Sequence, residues 1–327
     1  MSFQKAMIAG VLLFFFALTH SGNGFASESA PLKVAYSAFT STYLPLWVAD
    51  EKGLFKSEGL NIDISYGRGG SSTAQALLAK SIDIALIGGG PIEANLSGGD
   101  LIYIAAHVPT LVFSMFSAKG VNSMSGLRGG KIGTTAAASA SEYAAILTLK
   151  RYGLEPRKDV QFVYSGGMDN TFASLSQNLI QAGVFSGPII IQARKAGFKE
   201  LVDIASLRIP FIHEGIAVRR EFLKEHRDVL NKFMREFVLG VRATKSEKPL
   251  AYKMLEKYLK LKERDVVEAA YNEIAPYFAA EPFASKAAVE NMLSVIGDRV
   301  PQAKTASAER FYDNGILTEL KNEGFFK

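Results

Sequence analysis

The sequence predicts an α/β protein built from two similar units, because strand and helix signals alternate along most of the chain. In the first third, short apolar runs alternate with segments of helical character. The same alternation starts again near Gly130. With 327 residues, the chain also has the length of about two ordinary domains. This order of elements is typical of a mainly parallel sheet with helices on both faces.

The first unit alternates four predicted strands with three predicted helices. Residues 60–66 alternate apolar and polar side chains, as a strand with one buried face does. The predicted strands are Leu32–Tyr36, Leu60–Tyr66, Ile82–Ile87 and Leu101–His107. The predicted helices are Tyr43–Phe55, Ser71–Lys80 and a helix beginning at Pro91–Leu96.

The second unit repeats the pattern, and the chain then becomes mostly helical from Arg219 onward. Its predicted helices cover about residues 139–152 and 169–182, and we expect the chain to cross between the units near residues 112–118 and 211–218. The predicted strands are Gly130–Thr134, Val160–Tyr164, Glu200–Ile204 and Pro210–Val218. Beyond them, Val229, Leu230, Phe233, Phe237 and Val241 fall on one helical face.

The first 26 residues have the features of a secretory signal peptide. Lys5 precedes an apolar run, Ala6–Leu18, that is too short to span a membrane. Gly24–Ala26 ends in the small residue that a signal peptidase accepts. We therefore expect residues 1–26 to be removed and the protein to be exported to the periplasm. The alternative for this segment is a membrane anchor.

Composition narrows the classes of function. The sequence contains no cysteine, which excludes disulfides, thiolate metal sites and lipid attachment through a cysteine. Its four histidines share no metal-ligand spacing, so we expect no metal site. The net charge of +5 is spread along the chain without a dense basic run, which does not favour nucleic acid as a partner.

Small polar residues follow the predicted strands, at the edge where open α/β sheets bind ligands. Helix N-termini at this edge offer free backbone N–H groups. Each turn also has a simpler interpretation, as a polar loop, a tight glycine turn or, for Ser139 and Glu142, a capping box. The turns are residues 37–43, 67–72, 88–91, 134–142, 164–170 and 185–188.

The sequence contains no recognisable enzyme motif. It lacks the nucleophile-elbow pattern G-x-S-x-G, the zinc-protease pattern HExxH and the calcium loop DxDxDG. Carboxylates are scattered singly among lysines, as on a solvated surface. Polar turns without a nucleophile or an acid–base pair favour binding over catalysis, and we expect no cofactor.

The chain resembles periplasmic solute-binding proteins of ABC importers, in the branch for nitrate, taurine and alkanesulfonates that also contains thiamine-pyrimidine-synthesis-like proteins. The matching stretches are Leu44–Gly59, Asp83–Leu96, Ser125–Thr134, Leu147–Val160 and Ala196–Asp203. The resemblance covers nearly all of residues 31–275. It implies a type II periplasmic-binding-protein fold, in which two α/β lobes close on one ligand.

The resemblance also implies lobe boundaries and ligand contacts. Lobe one would comprise residues 27–113 and 215–327, with the C-terminal helices, and lobe two residues 114–214. The turns themselves add Phe39, which can stack on a ligand, and Arg68, which can supply positive charge. The ligand-binding residues carried over by position are Ser37, Thr40, Tyr43, Ser71, Ser72, Gly89, Gly90, Thr135, Ser139, Gly187 and Glu214.

Two departures from the family pattern bear on the ligand. Gly183–Pro188 lacks the aspartate that members often carry there, and the turn 134–142 is rich in alanine. Both features predict a small organic ligand with an apolar part, sulfonate- or carboxylate-like, held through Tyr43, Phe39 and Phe185. The implied partner is an ABC-importer permease, and a monomer is the simpler expectation.

Two alternative functions stay open at this point. Some relatives make the thiamine pyrimidine from their own histidine and a cofactor, and they rely on a cysteine-rich segment. The export signal and the absence of cysteine argue against such an enzyme. An exported binding protein can also dock to a membrane receptor as a ligand sensor, and the sequence does not separate this role from transport.

Overall fold

The structure is a computed structural model that describes residues 30–327. The predicted signal peptide, residues 1–26, lies outside this range. The described residues form two five-stranded sheets. In each sheet four strands run in one direction and one strand runs against them. The predicted α/β class, with two lobes that each contain a mostly parallel sheet, is confirmed.

The two sheets have the same layout. The first contains β1 (Leu32–Tyr36), β2 (Ile62–Tyr66), β3 (Ile84–Ile87), β4 (Leu101–Thr110) and β10 (Pro210–Arg219), in the order β2-β1-β3-β10-β4. The second contains β5 (Ser114–Ser117), β6 (Lys131–Thr134), β7 (Gln161–Tyr164), β8 (Ala182–Phe185) and β9 (Lys199–Asp203), in the order β7-β6-β8-β5-β9. The antiparallel strands are β10 and β5, which follow the two crossings of the chain.

Helices flank both sheets, and most of the C-terminal third is helical. Those before β4 are α1 (Leu44–Glu51), α2 (Leu54–Ser57), α3 (Gly70–Leu78) and α4 (Gly90–Leu96). Those between β6 and β9 are α5 (Ala140–Arg151), α6 (Met168–Ser176) and α7 (Pro188–Lys195). After β10 come α8 (Arg220–Glu225), α9 (Arg227–Ser246), α10 (Lys248–Leu259), α11 (Arg264–Ile274), α12 (Lys286–Ile296) and α13 (Gly315–Asn322).

We use first lobe for residues 30–110 and 210–327 and second lobe for residues 114–203, following the two sheets. The strands β1, β3, β6 and β8 end at the edge where the lobes meet, and α4, α5 and α7 begin there. The polar turns singled out in the sequence therefore lie between the lobes or at the rim of the space between them.

Two predicted helices differ from the structure. The helix predicted over residues 43–55 is broken at Gly53, whose φ of 70° is left-handed and ends α1. The helix predicted over 169–182 ends at Ser176, and Ala182–Phe185 is the central strand β8. A four-residue apolar run has no periodicity that distinguishes a strand from a helix, so this strand was missed.

The long helix α9 anchors the C-terminal helices to the first sheet. Leu230, Phe233, Phe237 and Val241 are buried on one face, as the sequence periodicity predicts. A Cβ on Gly240 would lie 2.5 Å from the Pro45 carbonyl oxygen, so glycine permits the close packing of α9 on α1. Among residues 30–327, no helix is both long and apolar enough to cross a membrane.

Candidate ligand-binding cleft

An open cavity of about 480 Å³ lies between the two lobes. The first lobe contributes the turn 39–42 after β1, the end of α10 and one face of α11, and the second contributes residues 186–189 at the start of α7. The lining residues are Phe39, Thr40, Ser41, Thr42, Val112, Met168, Ser186, Gly187, Pro188, Ile189, His213, Tyr258, Leu259, Lys260, Leu261, Ala270, Glu273 and Ile274. Cavities of this volume accommodate small organic ligands.

Apolar and aromatic side chains make up more than half of this lining. Phe39 is 57% exposed, and its ring centroid lies 4.2 Å from that of Tyr66. Tyr258 stacks on the fully buried Trp47 with 4.4 Å between the ring centroids, which holds the tyrosine ring in place. A ligand with an apolar or aromatic part can bury its surface against these rings.

Few charged groups line the cavity. The ring of His213 accepts a hydrogen bond at Nδ1 from the Val112 N–H group, at 3.1 Å. Burial lowers the pKa of His213 to about 4, so the ring is neutral at pH 7 and carries its proton on Nε2. The charge balance of the cavity therefore depends on Lys260 and Glu273.

Ser37, Tyr43 and Glu214 form one buried group beside the cavity-lining residues Thr42 and His213. The hydroxyl oxygens of Ser37 and Tyr43 are 2.8 Å apart, and burial together with the nearby Glu214 carboxyl raises the pKa of Tyr43. Burial raises the pKa of Glu214 to about 8, so its carboxyl is mostly protonated at pH 7. The buried Glu214 Oε2 has no hydrogen-bond partner among the described residues.

The turn at the start of α5 uses its hydroxyl groups internally. The Ser139 Oγ accepts a hydrogen bond from the Glu142 N–H group at 3.3 Å, as the predicted cap requires. The hydroxyls of Thr135 and Ser141 are 3.0 Å apart, and Ser139 donates to the Ala136 carbonyl at 2.7 Å. These hydroxyls already have partners within the turn, and neither Thr135 nor Ser139 lines the open cavity.

Beside this turn, Glu93, Glu142, Tyr143 and Arg299 join the two lobes, and we call these four residues the cross-lobe clamp. Tyr143 donates to Glu93 Oε1 at 2.9 Å and accepts from Arg299 Nη2 at 2.7 Å. Arg299 Nη1 also donates to Glu142 Oε2 at 2.9 Å. Burial raises the pKa of Tyr143, which keeps its hydroxyl protonated as a donor.

Glu142 is fully buried and is the most connected member of the clamp. Besides Arg299, its carboxylate accepts hydrogen bonds from Arg157 at 2.8 Å and Tyr164 at 2.6 Å. It also accepts one from the Ala138 N–H group at 2.7 Å. Two guanidinium groups and two further donors thus compensate a charge that is removed from water.

The glycines at the start of α4 allow close packing in this part of the interface. A Cβ on Gly90 would lie 2.7 Å from the Gly70 carbonyl oxygen, so the turns before α3 and α4 touch through their backbones. The position of a Cβ on Gly89 is 3.9 Å from the Tyr143 ring. The Tyr143 ring of the clamp therefore occupies the space beside Gly89. Gly89 was predicted to contact the ligand.

The structure divides the predicted ligand-binding residues into four groups. Phe39, Thr40 and Gly187 line the open cavity. Ser37, Tyr43 and Glu214 form the buried group beside it. Gly89, Gly90, Thr135 and Ser139 lie at the filled part of the interface. Arg68, Ser71 and Ser72 lie in the exposed turn before and at the start of α3. Phe185 is fully buried within the second lobe and does not line the cavity.

Sequence reasoning missed the residues that the C-terminal helices contribute. Tyr258, Leu261 and Glu273 line the cavity but belong to no motif, and they lie far along the chain from the polar turns. The partial signal for them was the amphipathic pattern of α10 and α11, which indicates a buried face without saying what it covers. Within residues 30–327, no group of three or more His, Asp or Glu side chains is arranged to hold a metal ion.

Solute-binding proteins have this architecture of two α/β lobes with a cavity between them. Comparisons with known proteins agree with this assignment. The profile of the family described as "NMT1/THI5 like" matches residues 40–247. The chain belongs to this family, and the resemblance found in the sequence is confirmed. YtlA of Bacillus subtilis strain 168, named only as a binding protein, is 26% identical over 222 residues. That match covers 62% of each chain, so this protein spans about three fifths of the length of that relative.

Two solved structures show the same fold at low sequence identity. The periplasmic aliphatic sulphonate binding protein SsuA of Escherichia coli has a TM-score of 0.72 at 18% identity, over 86% of this chain and 91% of SsuA. The periplasmic nitrate-binding protein NrtA of Synechocystis PCC 6803 has a TM-score of 0.68 at 12% identity, over 90% of this chain and 88% of NrtA. At these sequence identities the two likenesses show the fold alone.

Proposed function

We propose that this protein is an exported solute-binding protein that captures a small, partly apolar organic molecule between its lobes and delivers it to an ABC importer. The observation that carries the proposal is the open cavity of about 480 Å³, to which both lobes contribute walls. Membership of the NMT1/THI5-like family and the fold shared with SsuA and NrtA support it.

The proposed mechanism is closure of the two lobes on the ligand. A ligand that contacts the turn 39–42 in the first lobe and the turn 186–189 in the second stabilises the closed arrangement relative to an open one. The two chain crossings, residues 111–113 and 204–209, are short connections about which the lobes can rotate. Binding and release, without a chemical step, are what the described site supports.

The proposed ligand carries an anionic group, sulfonate- or carboxylate-like, on an apolar body. Phe39 and Tyr258 offer aromatic surface to the body. Lys260 and the hydroxyls of the turn 40–42 supply a positive charge and donors for the anion. SsuA and NrtA are named as binding proteins for anions, which supports this chemistry by analogy.

The proposed location is the periplasm and the proposed partner is a membrane permease. The signal-like sequence of residues 1–26 supports export. N-terminal sequencing of the protein from the periplasmic fraction should give a chain that begins at Ser27. A chain that retains its first residues in the membrane fraction would instead support an anchor.

A thermal-shift screen of the purified protein tests the proposed function. The panel contains alkanesulfonates, aromatic sulfonates and carboxylates, amino acids and nitrate. A solute at about 100 times its dissociation constant should stabilise the fold by about 2.7 kcal/mol. Stabilisation by partly apolar organic solutes, with Kd values then measured by calorimetry, is the expected result. Tight binding of nitrate alone would contradict the organic ligand, and no stabilisation by any solute would contradict the binding role.

A further inference from the structure

Glu273 connects the two lobes at the wall of the open cavity. It lies on α11 of the first lobe, and its Oε1 accepts a hydrogen bond from the Gly187 N–H group at 2.8 Å. Gly187 directly precedes α7 of the second lobe. The first backbone donor at the start of this helix is therefore already bound by a carboxyl group of the protein itself. A ligand anion cannot use that donor without displacing Glu273.

Glu273 also separates the open cavity from a second one. A cavity of about 360 Å³ lies on its other side, and the two cavities share only Val112 and Glu273 among their lining residues. Glu273 Oε2 accepts no hydrogen bond from the described residues. One oxygen of the carboxyl thus fixes the side chain to Gly187, and the other is left for a group that enters from a cavity.

Among residues 30–327, no lysine or arginine forms an ion pair with this carboxyl. Burial raises the pKa of Glu273 to about 8, and the hydrogen bond from Gly187 opposes this only in part. Arg194 also lowers the pKa, but its guanidinium is bound to Glu200 at 2.9 and 3.0 Å. Asp203 and Glu200 raise the pKa further.

Four other titratable groups line the two cavities: His213, Tyr258, Lys260 and Tyr277. His213 is neutral at pH 7, and burial raises the pKa values of Tyr258 and Tyr277, so their hydroxyls stay neutral as well. Lys260 is exposed and forms no ion pair with another described residue. An ammonium group brought by a ligand would stabilise the ionised form of Glu273 and leave Lys260 for the ligand's anion.

We propose that Glu273 is the specificity-determining residue of the cleft and that it binds a basic nitrogen of the ligand. The proposal rests on the proposed function and deepens it: the partly apolar ligand carries an amine as well as an anionic group. The aromatic faces of Phe39 and Tyr258 in the same cavity favour a cationic group further.

Calorimetry with paired probes that differ only in the amine tests this role. One pair is phenylalanine and 3-phenylpropanoate, and the other is 3-aminopropanesulfonate and propanesulfonate. We expect the amine-bearing member of at least one pair to bind at least about tenfold more tightly, a difference of about 1.4 kcal/mol. Glu273→Gln should remove this preference. Glu268→Gln, a change on the same helix at a residue paired with Arg264, is the matched control and should retain it.

A proton balance distinguishes recognition of the amine from a purely structural role. The amine binds the ionised carboxylate, which is the minor form at pH 7 because the pKa of Glu273 is about 8. Binding should therefore release a proton, measured as a dependence of the heat on the ionisation enthalpy of the buffer. Affinity for the amine-bearing probe should rise from pH 6 to pH 8, and both effects should be absent in Glu273→Gln.

Each other outcome overturns a defined part of the argument. Equal or tighter binding of the probes without an amine overturns the role of Glu273 and leaves the proposed function intact. The same holds if both pairs fail while another solute of the screen binds. If no solute of the screen and neither pair of probes binds, the proposed function is overturned together with this inference.

Discussion

The interface between the lobes contains two regions of opposite character. Around the open cavity, the walls are apolar side chains such as Phe39 and Ile189, and the space between them is free. Beside α4 and α5, the same gap is filled by Tyr143 and Arg299, whose polar atoms are bound to Glu93 and Glu142. One region can receive a ligand, whereas the other is held together by the protein's own charges and hydroxyls.

This difference shows how one cleft can combine stability with variable specificity. In the filled region, the clamp makes the cross-lobe contacts that a ligand would otherwise make. In the open region, the walls come from turns and helix ends, which can change without disturbing the sheets. Substitutions in the filled region should therefore change the stability of the fold, and those in the open region should change ligand affinity.

The largest effect is expected for Glu142→Gln. The change removes the buried carboxylate that Arg157 and Arg299 share, and it leaves Arg157 only Asp298 and Arg299 only the more distant Glu93 as anionic partners. The free energy of unfolding should fall by about 2–3 kcal/mol, because both guanidinium groups are partly exposed and keep some solvation. Urea denaturation measures this loss. Glu155→Gln, at an exposed position of the same lobe, should change stability by less than about 0.5 kcal/mol. Equal effects of the two variants would show that the clamp contributes nothing.

Tyr143→Phe should have the next largest effect. It removes only the hydroxyl that donates to Glu93 and accepts from Arg299, and the ring stays buried. The free energy of unfolding should fall by about 1.5 kcal/mol. Tyr152→Phe is the control because Tyr152 is 47% exposed, and it should unfold like the wild type. If Tyr143→Phe has the same free energy of unfolding as the wild type, water replaces the hydroxyl without loss of stability.

Ser139→Ala should lower the free energy of unfolding by about 1 kcal/mol, the usual value for the loss of an N-cap side chain. The same denaturation experiment measures it. Ser176→Ala, where the hydroxyl donates to a carbonyl within an exposed helix turn, should cost less. If the two variants are equally stable, the Ser139 hydroxyl does not stabilise α5.

The last prediction concerns the pH dependence of stability, to which two pairs of groups contribute in opposite directions below pH 6.5. Glu214 and Glu273 have pKa values raised to about 8, so the folded state keeps protons that the unfolded state loses above pH 4.5. His107 and His213 have pKa values lowered to about 3 and 4, so the unfolded state keeps protons up to pH 6.5. From pH 4.5 to 6.5, the two carboxyls make stability fall with rising pH and the two histidines make it rise.

Only the carboxyls act between pH 6.5 and 8, and stability should therefore fall with rising pH in that window. Differential scanning calorimetry should show a decreasing Tm over this range. The double substitution Glu214→Gln and Glu273→Gln should make the Tm constant there. A Tm that rises from pH 6.5 to 8 in the wild type would contradict the assignment of both carboxyls as neutral at pH 7.

Much of the fold was predictable because local patterns determine it. The period-two run at residues 60–66 and the apolar run at 101–107 became β2 and β4, and the face of α9 is buried as its periodicity indicates. The strand β8 was not predictable, since Ala182–Phe185 is too short for periodicity to decide its structure.

The site was predictable only in part, for a different reason. Phe39, Thr40 and Gly187 belong to turns at strand ends, and their position follows from topology. The contact between Tyr143 and Arg299 joins residues 156 positions apart, and Glu273 reaches Gly187 across 86 positions. Such contacts depend on how the C-terminal helices fold back, which no local pattern of the sequence reports.

The most direct test of the account is a calorimetric titration of one bound solute with Phe39→Ala and Ser139→Ala. Both residues are ligand-binding candidates in the sequence, but only Phe39 lines the open cavity. Phe39→Ala should weaken binding about tenfold, by about 1.4 kcal/mol. Ser139→Ala should leave the Kd within about twofold, or about 0.4 kcal/mol. A loss of affinity in Ser139→Ala with none in Phe39→Ala would place the ligand in the filled region and contradict the account.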